Sequence, residues 1–145
     1  MKNILVTIDF DDNTEILLDQ AMYLARAFES KIWLLHIASP EPDFIGYGVG
    51  PQYIRDFRAK ELRDEHLFLH EKSKEINLQD IASESLLIQG ATIEMIILES
   101  KKLNIDLIIA GHHEHGFLYS AIVGSVSAQI MKKSKIPVLI IPLDE

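Results

Sequence analysis

Asp106-Leu107-Ile108-Ile109-Ala110-Gly111 is apolar from its second residue to its fifth, with no polar side chain alternating between them. A strand with one wet face alternates. A strand without alternation has both faces covered, as in a parallel sheet with helices packed on each side. Towards the C-terminus, helix-forming sequence resumes near Ala121 and runs to Lys133. A second apolar run, Pro137-Val138-Leu139-Ile140-Ile141, follows, and its leading proline suits the first position of a strand. Towards the N-terminus, Ile93, Ile96, Ile97, Ser100 and Leu103 recur at helical spacing, preceded by the short run Ser85-Leu86-Leu87-Ile88 and the turn Gln89-Gly90.

The first third repeats the alternation. Ile4-Leu5-Val6-Thr7-Ile8 is short, β-branched and ends at Asp9. Asp12-Asn13-Thr14-Glu15 has the form of a capping box, an acid at the N-cap with Glu three residues on. Leu17, Ala21, Leu24 and Phe28 then define one buried helical face, and Lys31-Ile32-Trp33-Leu34-Leu35-His36-Ile37 is the next strand. Residues 39–52 hold Pro and alternating Gly (Gly46, Gly48, Gly50) and are expected to form a mobile loop. A long, partly exposed helix is expected over 53–77, with Leu62, Leu69 and Ile76 inward. Nothing divides the chain. The expectation is one α/β domain over 1–145, a doubly wound five-stranded parallel sheet with helices on both faces.

Composition narrows the function. At 145 residues, 48% apolar and 25% charged, the chain has the balance of a globular domain rather than a disordered one. Its net charge of −8 repels a phosphate backbone, and Lys132-Lys133-Ser134-Lys135 is better explained as the cationic end of a helix, so no nucleic-acid partner is expected. No apolar run is long enough to span a bilayer, and Asp9 interrupts the only N-terminal run, so neither membrane insertion nor a signal peptide is expected. The absence of cysteine excludes disulfides and fits a cytoplasmic location.

Ligands of open α/β sheets bind outside the carboxyl ends of the strands, where strand order reverses. Those ends are Asp9, Ile37 with Ala38, and Gly111. The loop from Gly111 runs GHHEHGFLYSAIVGSVS, and Gly111 is expected to turn the chain there without a side chain. Gly124-Ser125 near the next helix start offers close backbone approach and a hydroxyl to anionic oxygens. Turn geometry and helix capping would account for the same residues without a ligand.

ILVTIDF at the start, LLHI in the second strand, DLIIAGHH and GSVSAQIMKKSKIPVLIIP together resemble the universal stress protein family over essentially the whole chain. That resemblance implies a Rossmann-like fold of the adenine nucleotide alpha hydrolase type. It also implies a stress-response module binding ATP or another adenine nucleotide as a regulatory ligand, with Mg²⁺ as a candidate companion. Nucleotide-binding members carry G-x2-G-x9-G-[S/T]. Here Gly111 is the first glycine and Gly124-Ser125 the last pair, while Glu114 occupies the second glycine position. By similarity, Thr7, Ile8 and Ile37 would border the adenine and Asp9 the ribose. Ala110 and Gly111 would lie beneath the nucleotide, His113 in the loop, and Gly124, Ser125 and Val126 at the phosphates.

Glu114 opens the alternative. A carboxylate about 5 Å from a phosphate charge, at an effective dielectric near 20, costs on the order of 3 kcal/mol. Glu114 either closes the pocket, leaving a nucleotide-independent dimeric adaptor, or holds a cation that bridges to phosphates. The family's non-binding branch shares GHH followed by a polar residue but tends to lose the Gly-Ser pair retained here.

Other chemistry is weakly indicated. His112, His113, Glu114 and His115 are metal-capable, but neighbours in one loop rarely all point inward, so no metal site is expected. His66 and His70 lie four apart without the Glu of HExxH and are expected to be polar positions on a helix surface. No catalytic residue emerges, and weak ATP hydrolysis has no support. The final strand is expected at a sheet edge and the resemblance implies a homodimer through it, with an unidentified protein partner reading the switch.

Overall fold

The computed structural model describes residues 1–10, 13–38, 52–112 and 126–143. Five strands, β1 (Asn3–Thr7), β2 (Lys31–Ala38), β3 (Ser83–Gln89), β4 (Leu107–His112) and β5 (Val138–Pro142), alternate with α1 (Thr14–Phe28), α2 (Gln52–Asn77), α3 (Thr92–Lys102) and α4 (Val126–Lys133). All strand pairs are parallel, in the order β3-β2-β1-β4-β5. This is the doubly wound α/β sheet expected from the apolar runs.

Successive side chains of a strand point to opposite faces, and here both faces are dry. Ile4, Val6, Ile8 and Ile109 pack with Leu17, Leu18 and Ala21 of α1 and Leu69 and Ile76 of α2. Leu5, Leu35, Ile37, Ile108 and Ala110 pack with Ile93 and Ile96 of α3 and Ile130 of α4. Ile108 and Ile109 are both wholly buried on opposite faces. Each contributes roughly 1.5–3 kcal/mol of transfer free energy, which is why this run tolerates no polar alternation.

Several details differ from the sequence-based expectations. Phe28 is exposed, because the buried stripe of α1 runs through Leu17, Leu18, Ala21 and Ala25 and leaves Met22 and Leu24 partly covered. Asn13 rather than Asp12 precedes the first turn of α1 and makes no side-chain capping bond; Asp12 lies outside the described residues. β3 begins at Ser83, not Ser85. Asn77 brackets it, donating to the Ser83 carbonyl and accepting from its N–H at 2.8 Å, while Ser73 and Ser83 hydroxyls bond at 3.1 Å. Of the loop expected over 39–52, residues 39–51 lie outside the described residues, as does the helix start at 121–125, while Gln52 already opens α2.

The two ends of the sheet are held differently. At the amino ends of the strands, Asp106 Oδ2 accepts from the amides of Lys2 and Asn3 at 2.7 and 3.0 Å. These bonds hold the Asp106 carboxyl below its ordinary pKa. On one flank, Lys72 of α2 bonds Glu15 in the first turn of α1. That bond and its charge hold Lys72 above the ordinary lysine value, against the opposing effect of burial.

Candidate functional site

Strand order reverses between β1 and β4: the chain goes from β1 outward to β2 and β3, then returns to the far side of β1 for β4. The carboxyl ends of β1 and β4 therefore border the crevice that this class of sheet offers to ligands. Asp9 and Phe10 leave β1 on one side. Gly111 and His112 end β4 on the other, and α4 begins at Val126.

Thr7, the last residue of β1, is buried, and its hydroxyl donates to the Ile109 carbonyl at 3.4 Å, tying β1 to β4. Ile8 donates its N–H to Leu35 at 2.8 Å and sends its side chain into the α1/α2 core, so only its backbone borders the crevice. Asp9 is exposed. Ile37 and Ala110 are buried on the α3/α4 face, and Val126 packs against the same cluster. All three belong to one apolar cluster on that face of the sheet. His113, Glu114, Gly124 and Ser125 lie outside the described residues.

Gly111 departs from its expected role. It is not a turn residue but the penultimate residue of β4, paired with Ile141 of β5. A Cβ there would lie 2.3 Å from Leu143 Cδ1 and 3.6 Å from Leu17 Cδ1. Its missing side chain makes room for Leu143 on the α1/α2 face.

The geometry also brings together residues that no spacing pattern announced. Nδ1 of His36 lies 2.6 Å from the Ile8 carbonyl, and a carbonyl only accepts, so that nitrogen carries the proton. Nε2 of the same ring faces Glu65 of α2 at 3.7 Å. Phe10, in the left-handed region at φ 50°, lays its ring edge-on to His36 with centroids 4.4 Å apart and to Phe68 at 5.4 Å. A bulky residue adopts that φ only when its surroundings hold it there. His36 and Phe68 are those surroundings, and together they set the turn that carries Asp9. Strand parity was the available signal: His36 shares a face with Leu34 and Ile32, the face that α2 covers. Across the crevice, Nδ1 of His112 lies 3.4 Å from the Ser127 hydroxyl, linking the end of β4 to the first turn of α4.

No cluster of three or more metal-capable side chains occurs among the described residues, and no helix there is long and apolar enough to cross a membrane. A cleft of about 460 Å³ beside Arg26, Gln79 and Ala82 lies at the opposite end of the sheet, away from the strand carboxyl ends.

The model of the universal stress protein family matches residues 1–142. The chain belongs to the universal stress protein family. Among curated relatives of this universal stress protein, universal stress protein A of Salmonella typhi is 26% identical over 142 residues, covering 98% of this chain and 94% of its own. Among solved structures, the universal stress protein UspA from Lactobacillus plantarum superposes with a TM-score of 0.79 at 17% identity, covering 97% of each chain. A universal stress protein in complex with cAMP does so with 0.69 at 19% identity, covering 99% of this chain and 98% of that one. An Arabidopsis thaliana family protein with AMP bound gives 0.66 at 19% identity, covering 99% and 93%. At these identities the structural likeness establishes the fold.

Proposed function

We propose that this universal stress protein binds ATP or a related adenine nucleotide as a regulatory ligand, in the crevice between the carboxyl ends of β1 and β4. The observation that supports the proposal is that Asp9, Ile37, Ala110 and Gly111 stand at the carboxyl ends of the adjacent strands β1, β2 and β4, with Val126 of α4 in the same apolar cluster as Ile37 and Ala110. Relatives of the same fold hold cAMP and AMP, which supports an adenine ligand of this class. Asp9 faces the ribose, Ile37 and Ala110 the base, and the Gly124–Val126 segment the phosphates, with Mg²⁺ bridged through Glu114. Occupancy reshapes a surface read by a protein partner in the cytoplasm, and two copies associate through β5. The nucleotide acts by population shift and need not be hydrolysed.

One observation favours a second reading. Leu143 and Leu17 account for Gly111 without any ligand, so the first motif glycine alone is no evidence for a nucleotide. With Glu114 in the second position, a nucleotide-independent dimeric adaptor follows. Calorimetric titration with ATP, with and without Mg²⁺, on protein cleared of co-purified nucleotide separates the two. Binding that requires the metal and disappears in a Gly124→Trp variant supports the switch. No heat from the native chain, with strong binding by Glu114→Gly, supports the adaptor and removes the nucleotide role.

A further inference from the structure

His66 and His70 stand one turn apart on α2, both exposed, with ring centroids 6.5 Å apart and planes 2° from parallel. Neither imidazole has a hydrogen-bond or ionic partner among the described residues. In that respect they differ from His36 and His112, whose Nδ1 atoms contact Ile8 and Ser127. The two free rings line a groove of about 410 Å³ between α2 and the edge strand β3, which Ser85 also lines, while Asn77 and Ser83 in the same groove are bonded to each other.

We propose that His66 and His70 form a bidentate site for a borderline divalent cation, taking Cu(II) most tightly and Ni(II) and Zn(II) more weakly. Imidazole nitrogen suits these metals, and the Irving–Williams order ranks them. Side chains at i and i+4 share one helical face, the spacing at which two rings can close on one ion. Metal–nitrogen bonds of about 2.0–2.1 Å put each ring centre roughly 3 Å from a shared metal, and the two centres about 4.5–6 Å apart. The observed 6.5 Å closes to that range by χ rotation, which is unhindered for exposed side chains. Water or a groove oxygen completes the coordination. Lys74, one turn further along the same groove, opposes the cation, and Glu84 is already paired with Lys31 at 3.1 Å. The site is therefore an exchangeable one of modest affinity.

Tag-free protein titrated with Cu(II) alone, in a buffer that does not coordinate metals, tests the site by calorimetry and electron paramagnetic resonance. One Cu(II) with two nitrogen donors is expected. His66→Ala and His70→Ala should each weaken binding at least tenfold with unchanged melting temperature. Joint replacement of His112, His113 and His115 by Asn should leave that site in place. Undiminished binding by either single variant, or loss of the site in the triple variant, would overturn the proposal.

Discussion

A Cβ on Gly111 would stand 2.3 Å from Cδ1 of Leu143, inside any allowed carbon–carbon contact. The glycine at the end of β4 is thus a packing residue first, and its contribution to stability is separable from any contribution to ligand binding. Gly111→Ala should destabilise the fold by about 1–3 kcal/mol, the usual range for overpacking. Leu143→Ala in the same chain should recover part of that loss, because the obstructing atom is gone. Urea unfolding of both single variants and the double variant gives the coupling directly. Simple additivity would show that Leu143 moves aside freely.

His36 holds the crevice turn through the Ile8 carbonyl at 2.6 Å. His36→Asn keeps a side-chain N–H near Nδ1, whereas His36→Leu leaves the carbonyl without its donor, at a cost of about 1–3 kcal/mol. The leucine variant should therefore be the less stable of the two, although it is the more apolar. The reverse order in thermal unfolding would mean that the ring acts through its packing on Phe10 alone.

Asp106 links acid stability to the β1–β4 junction. Its carboxyl is held below the ordinary value by the Asn3 and Lys2 amides. A depressed folded pKa contributes stability that is fully present above the unfolded value of roughly 4 and is lost as pH falls through the folded one. Asp106→Asn should lower the melting temperature at pH 7, and the gap to the native chain should narrow below pH 4. A gap that stays constant with pH would assign the effect to geometry rather than charge.

The strands were legible because dryness on both faces removes polar residues from a run, and Ile108 and Ile109 carry that signal unaided. The stripe of α1 was less so. Leu18 and Ala25 are as buried as Leu17, and a spacing of 17, 21, 24 and 28 finds the buried Leu17 and Ala21 but then drifts off the covered stripe to the partly buried Leu24 and the exposed Phe28. Asp9, Ile37 and Ala110 were readable as strand ends. Phe10, His36, Glu65 and Phe68 were not, because they come from three elements and meet only through the parity of β2 and the placement of α2. Gly111 was found for its position but misread in its cause, since the neighbour that requires it, Leu143, is remote in sequence.

Glu29 ends α1 in the left-handed region at φ 55°, while its N–H and that of Ser30 both reach the Ala25 carbonyl. That is the terminus at which glycine is favoured, because the conformation carries a Cβ penalty for any other residue. Glu29→Gly should stabilise by about 0.5–1 kcal/mol after the added freedom of the unfolded chain is counted. Calorimetry should register a rise of about 2–4 °C at most for a chain of this size. A fall would mean that the glutamate side chain contributes more than its backbone strain removes.

β5 is an edge strand, and which of its amides face outward can be worked out. Ile108 donates to the Pro137 carbonyl and Leu143 donates to that of His112, so residues 137, 139, 141 and 143 turn their polar groups towards β4. Val138 and Ile140 therefore direct theirs away from the sheet, and Pro142 has no N–H to offer. A partially apolar edge with two outward-facing N–H groups invites a second strand. If two copies join there, Ile140→Pro removes one outward donor without breaking a bond to β4, since proline is tolerated on an edge. Light scattering at micromolar concentration should give a dimer for the native chain and a monomer of unchanged far-ultraviolet circular dichroism for the variant. A native monomer would remove the dimer. A variant that stays dimeric would move the contact to another face.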